Sequence, residues 1–194
     1  MLRATVLGIA VASALLLYFS LMFYVFPQSY QSMGPRRPEA VVTNASLSAS
    51  EITVGQTFAI SVTGVNSGED ADMQIVSIGF PNLTRTDSIK VLEHDFAQTP
   101  ILINAGEEIA SGYSGTLMVK AQYASVEAFS RPWTSGRSYS IELQVKPEVE
   151  GTFAVFVKSV AFPHSWDGAH WPDKGIIDHQ KEFVQVYYVK VAKP

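Results

Sequence analysis

Beyond position 40 the chain alternates: in short stretches every second side chain is apolar, and the stretches are broken by glycine, proline, asparagine and aspartate. Successive side chains on a β-strand point to opposite faces, so a period of two predicts half-buried strands. The cleanest case is 139–145, with Tyr139, Ile141, Leu143 and Val145 inward and Ser140, Glu142 and Gln144 outward. Residues 57–65 put Phe58, Ile60 and Val62 on one face and run into the turn Asn66-Ser67-Gly68. Further strands are predicted over 41–49, 51–55, 73–80, 88–96, 101–103, 107–110 and 115–123, the last with Leu117, Val119, Ala121 and Tyr123 on one side. Residues 152–160 and 183–191 are apolar on both faces, as central strands are. Short pieces taken with their neighbours, this makes eight or nine strands, with no 3.6-residue periodicity after position 40. Regular short strands in that number predict an all-β, antiparallel β-sandwich with Greek-key connections. An antiparallel barrel gives the same one-dimensional pattern.

The N-terminal pattern is different. Ala4 to Phe26 are 23 residues without a charge. As a helix they cover about 34 Å, against a hydrocarbon core of about 30 Å. Tyr18, Phe19, Phe23, Tyr24 and Phe26 crowd the C-terminal half, where a helix meets headgroups, and Pro27 ends it. The run is longer than the apolar core of a secretory signal, and no small-x-small cleavage site follows it. A retained transmembrane anchor over 1–26 is expected, followed by a proline-containing stalk over 27–40 and one folded domain over 41–194. Arg3 favours an N-inside start, whereas Arg36 and Arg37 on the far flank oppose it. Two glycosylation sequons, at Asn44 and Asn82, fit an exported domain. The expected location is the cell membrane, single-pass, with the C-terminal domain extracytoplasmic.

Composition narrows the partners. Without Arg3 there remain 13 basic residues against 18 acidic ones, with no run of like charges. A surface that tracks phosphates needs clustered Lys and Arg, so nucleic acid is not an expected partner. The chain has no cysteine, which removes disulfides, thiolate metal sites and cysteine nucleophiles.

A resemblance rests on two segments. In 51–68, an acidic residue, Val-Gly-Gln-Thr-Phe, an alternating strand and the turn Asn66-Ser67-Gly68 resemble the opening of prokaryotic immunoglobulin-like surface modules of the cell-adhesion-related and NPCBM-associated types. Pro147, Gly151 and Phe153 stand where a late strand of those modules carries proline, glycine and an aromatic residue. The resemblance covers about 30 of the 194 residues and departs from the group at 161–182. It implies an immunoglobulin-like sandwich. An anchor followed by one such domain is also similar in architecture to archaeal cell-envelope proteins, among them archaellum stator subunits.

Candidate chemistry is sparse. The segment 162–182 is long for a strand connection and carries His164, His170 and His179 with Asp167, Asp173 and Asp178. Imidazole with carboxylate can hold zinc or copper, and His164, Asp167, His170 and His179 are the candidate ligands. The bland alternative is that Trp166 and Trp171 pin the loop while its His and Asp face water or cap turns. Glu69, Asp70 and Asp72 form a second acidic group, which reads as a solvated turn. Ser114, in Gly112-Tyr113-Ser114-Gly115, falls short of a nucleophile elbow, and no phosphate-cradling loop occurs. Exposed aromatics are expected at Phe129, Trp133, Trp166, Trp171 and Tyr187. Arg131, Trp133 and Arg137 mark 126–138 as the candidate docking loop, since Arg and Trp dominate interface hot spots. The function expected is a non-catalytic, membrane-anchored interaction or structural subunit needing no cofactor, with another membrane or envelope protein as partner. A metal-binding accessory domain is the alternative.

Overall fold

A computed structural model describes residues 2–22, 37–109, 119–163 and 169–194. The chain divides into two compact units, Met1–Arg36 and Arg37–Pro194. In the first, Leu2–Ser20 form helix α1. Its 19 residues include Ala4–Ser20 of the predicted membrane helix, and 23–36 lie outside the described residues. Among the described residues no helix is long and apolar enough to cross a membrane.

The second unit is built from strands β1 (Ala40–Leu47), β2 (Glu51–Thr53), β3 (Phe58–Asn66), β4 (Met73–Phe80), β5 (Ile89–His94), β6 (Ile101–Ile103), β7 (Glu108–Ile109), β8 (Val119–Lys120), β9 (Ala124–Ser130), β10 (Ser138–Val145), β11 (Gly151–Phe162), β12 (Ile176–Ile177) and β13 (Phe183–Ala192). The smaller sheet runs in the order β1-β3-β10-β5, the larger β12-β13-β11-β4-β9-β6. Among the described strands no pairing joins the two, so the sheets are stacked and the barrel does not form. All pairings are antiparallel except β2 beside β13.

The alternation of β3 and β10 builds one wall of the core: Phe58, Ile60, Val62, Ile141, Leu143 and Val145 are at most 1% exposed. Val76, Ile78 and Phe80 of β4, Val126 of β9 and Val155 and Val157 of β11 supply the other wall. Burying each such side chain stabilises by about 1.5–3 kcal/mol. Phe153 closes one end, edge-on to Phe58 at 5.6 Å.

The opposite end corrects the expected docking loop. Residues 124–130 form no loop but a central strand, β9, with all seven positions buried. Trp133 is 0% exposed. Its ring packs 4.7 Å from Tyr139 and 5.6 Å from Phe96, and its indole N–H donates to the carbonyl of Arg137 at 2.8 Å. A large ring with a satisfied polar handle is a core plug. Phe129 is likewise buried, and Tyr187 is half-buried against the core. Residues 110–118, with Ser114 and the first four residues of the strand expected over 115–123, lie outside the described residues; Val119 is exposed whereas Ala121, expected on the same side, is buried.

The predicted turn at Asn66 ties the same end together. The fully buried Asn66 side chain accepts from the N–H of Glu39 (3.0 Å) and Gly68 (3.1 Å) and donates to the carbonyls of Glu69 (2.6 Å) and Trp133 (3.3 Å). Gly68 is required because an added Cβ would sit 2.3 Å from the carbonyl oxygen of Arg37. In the acidic turn beyond it, Asp70 caps the backbone N–H of Ser135 at 2.6 Å.

Candidate functional site

The outward face of the larger sheet is not left to water. On β4, β9 and β11 the side chains turned away from the core include Ser77, Glu127 and Lys158, and the register places Ser77 between the other two. Three strands thus carry a polar row across the middle of this face, and beside it Met73, Ile75 and Phe129, with Ile101 and Phe162 against them, form a second small apolar cluster. Gly79 leaves room for Tyr123, whose Cε2 would lie 2.6 Å from any added Cβ.

The row is covered by the hairpin between β12 and β13. Asp178 organises this turn: its Oδ1 accepts from the backbone N–H of Gln180 (2.8 Å) and Glu182 (3.0 Å), and its own N–H donates to the carbonyl of Glu182 at 2.9 Å. Its Oδ2 faces Lys158 Nζ at 3.3 Å, with the Asp178 side chain 0% exposed. Lys158 also donates to Gln180 Oε1 at 2.9 Å and sits in very close contact with Glu182 Oε2. One ammonium therefore holds three acceptors of a single turn, clamping the connection to the sheet.

Burial and charge pull these groups in different directions. Burial opposes the Lys158 charge, yet Glu182, Asp178 and Glu127 together hold its ammonium above the ordinary lysine range. Burial pushes Glu127 up to about 7, against the pull of the Ser77 hydroxyl and of Lys158; that hydroxyl donates to Glu127 Oε1 at 2.8 Å. A carboxyl so placed is mostly neutral at mildly acid pH. His179, edge-on to Tyr123 at 4.8 Å, is pushed down by burial, the Asp178 charge working the other way. Neither of its ring nitrogens has a hydrogen-bond partner among the described residues. The void among these side chains is about 10 Å³, room for one water at the lower limit and for no substrate. A cleft of about 390 Å³ opens at the Phe153 end of the sandwich, between 82–88 and 147–153; its Arg85–Asp87 pair is 71% exposed on both sides.

The predicted metal ligands fall into different surroundings. His164 and Asp167 lie outside the described residues. His170 Nδ1 accepts from the backbone N–H of Ala40 at 3.1 Å, and its backbone pairs with Ala161. His179 belongs to the β12–β13 turn and packs on Tyr123. Among the described residues no group of three or more His, Cys, Asp or Glu could hold a metal ion.

Of the predicted docking residues, Trp133 belongs to the core and Trp166 lies outside the described residues. Arg131 and Arg137 are exposed, Arg137 lying 5.4 Å from the Tyr139 ring centre. Trp171 is 43% exposed and meets Phe162 edge-on at 5.7 Å. The sequence reading passed over Ile176 and Ile177, which stand 54% and 60% exposed on edge strand β12. It also passed over the Lys158 clamp. The available signals were two adjacent isoleucines inside a polar connection, and one charge in each of two apolar runs, 124–130 and 151–162.

No protein-family model matches the sequence, and no curated protein matches it. Solved structures similar to it include the CARDB domain of a Pyrococcus furiosus protein, in complex with di-metal ions, at 8% identity over 82% of this chain and 97% of that one (TM-score 0.44). A cohesin module of a Clostridium perfringens family 33 glycoside hydrolase is 10% identical over 82% of this chain and 99% of that one (TM-score 0.40). A Listeria innocua β-glucosidase in complex with glucose is 13% identical over 79% of this chain and 16% of that one (TM-score 0.38).

Proposed function

We propose that this protein is a non-catalytic subunit of a membrane or cell-envelope assembly. In this reading an immunoglobulin-like sandwich, anchored through residues 1–26, presents a docking edge to another membrane or envelope protein. The observation that carries the reading is a contrast within one connection. Asp178 and Glu182 are held down by Lys158, while Trp171, Ile176 and Ile177 stay 43–60% exposed. Apolar groups on a preformed backbone bind without the cost of ordering a loop, and such groups make the centre of protein interfaces.

Trp171 of this edge lies at one end of the sandwich. Trp171 packs on Phe162, at the end of β11 that pairs with Met73. That is the end at which β1 enters the sandwich, Ala40 lying opposite Asn66, and Arg131 is at the same end, one residue past Ser130. The 23 uncharged residues from Ala4 to Phe26 support the anchor. A tether raises the local concentration of a weakly binding domain to roughly the millimolar range. The sequon at Asn44 supports export, since that side chain is exposed on edge strand β1. Asn82 is the poorer acceptor: its amide donates to the carbonyl of Thr152 at 3.3 Å and accepts from the N–H of Ala154 at 2.8 Å.

The test is purification of the full-length protein from membranes in mild detergent, beside the doubly substituted Ile176→Asp, Ile177→Asp protein. The reading expects a companion protein with the wild type, its loss from the variant, and unchanged thermal unfolding. Retention of the same companion at the same stoichiometry by the variant, or recovery of the wild type outside the membrane fraction, would overturn it.

A further inference from the structure

The geometry points to a covalent cross-link: an amide between Lys158 Nζ and the side-chain carboxyl of Asp178, stapling the β12–β13 turn to the centre of the larger sheet. The amine and the carboxyl that would acylate it are already in contact, Nζ lying 3.3 Å from Oδ2, with the Lys158 side chain 11% exposed and that of Asp178 fully buried. Reacting groups held in contact in a water-poor site gain much of the entropy that separate molecules must surrender.

The carboxyl of Asp178 is also held as an acyl acceptor should be. Two backbone N–H groups converge on Oδ1, at 2.8 and 3.0 Å. Donors of this kind stabilise the negative charge that grows on a carboxyl oxygen when a nucleophile adds to its carbon. No described backbone N–H reaches Oδ2, which faces Lys158 and is the leaving oxygen. Glu182 Oε2, in close contact with Nζ, is placed to take the proton that the ammonium, held charged by its acidic neighbours, must give up before nitrogen can add. The amine adds to Cγ, the C–Oδ2 bond breaks, and the two protons lost by nitrogen leave with Oδ2. The balance is one ammonium and one carboxylate converted to one amide and one water, with no oxidant, reductant or other reactant.

The surroundings favour the product. A buried ion pair bears a desolvation cost that a neutral amide does not. Glu127, 4% exposed and lining the same void, has its carboxyl pushed towards the neutral form by the dryness of the place. The void has room for about one water, which is what the reaction must release. Glu182 is a weaker electrophile here: its side chain is 23% exposed, and no described backbone N–H polarises its carboxyl. The chain has no cysteine with which to staple this connection otherwise.

The test is mass spectrometry of the full-length purified protein after proteolysis. The peptides carrying Lys158 and Asp178 contain neither sequon, so glycans do not obscure them. The expected result is one branched peptide joining the two residues, lighter than the sum of its parts by one water, absent from Lys158→Arg and Asp178→Ala. Separate peptides of unaltered mass in the wild type would overturn the proposal. So would a branched peptide mapping to Glu182. The wild-type measurement decides the matter even if both variants fail to fold.

Discussion

The outer faces of the two sheets differ in what lies over them. On the smaller sheet Ser61, Thr63, Ser140, Glu142 and Gln144 are half-buried by their neighbours and otherwise open to water. On the larger sheet Ser77, Glu127 and Lys158 occupy equivalent outward positions, yet Glu127 is 4% exposed and the Lys158 side chain 11%. The same polar residue types thus serve two purposes. Where water reaches them they cost little and stabilise little. Where the connection after β11 folds back over them, each charge must be matched, and the match fixes that connection in place.

Substitutions sharpen this comparison. The largest effect is expected from Lys158→Ala, which strands Asp178 and Glu182 against the sheet; chemical denaturation should register a loss of about 3–5 kcal/mol. Next comes a pH effect from Glu127. Its folded pKa is raised from 4.5 to about 7, so the stability due to its neutral form is complete below about pH 4.5. That stability is lost as pH rises through about 7, roughly 3 kcal/mol in all. Denaturation midpoints should fall between these limits in the wild type and stay flatter in Glu127→Gln. A smaller loss, about 1–3 kcal/mol, is expected from Gly79→Ala, which drives a methyl group into the Tyr123 ring; near-ultraviolet circular dichroism should change with it. The smallest belongs to the open face, where Glu142→Ala should shift stability by less than about 0.5 kcal/mol. Equal losses from Glu142→Ala and Lys158→Ala would break the comparison.

The same difference decides what the sequence reveals. β3 and β10 are legible because one face of each is wet: the apolar residues, Phe58 to Val62 and Ile141 to Val145, fall on every second position. β9 is hidden because both its faces are buried, so alternation disappears, and Glu127 in its middle reads as a surface charge. Trp133 misleads in the same way, since arginine and proline beside a tryptophan resemble a docking loop while the ring fills the core. The clamp is invisible for another reason. Glu127, Lys158, Asp178 and Glu182 lie far apart in the chain or in a short turn, and only strand register brings them together. Ile176 and Ile177 carry no periodic signal because β12 is two residues long.

Everything proposed for the docking edge depends on the turn from Asp178 to Glu182 being fixed rather than loose, and amide hydrogen exchange measures that directly. The amides of Asp178, Gln180 and Glu182, all hydrogen-bonded within the turn, should exchange as slowly as those of β11 and become fast in Lys158→Ala. Wild-type exchange at these three amides as rapid as in the exposed stretch 148–150 would contradict the account.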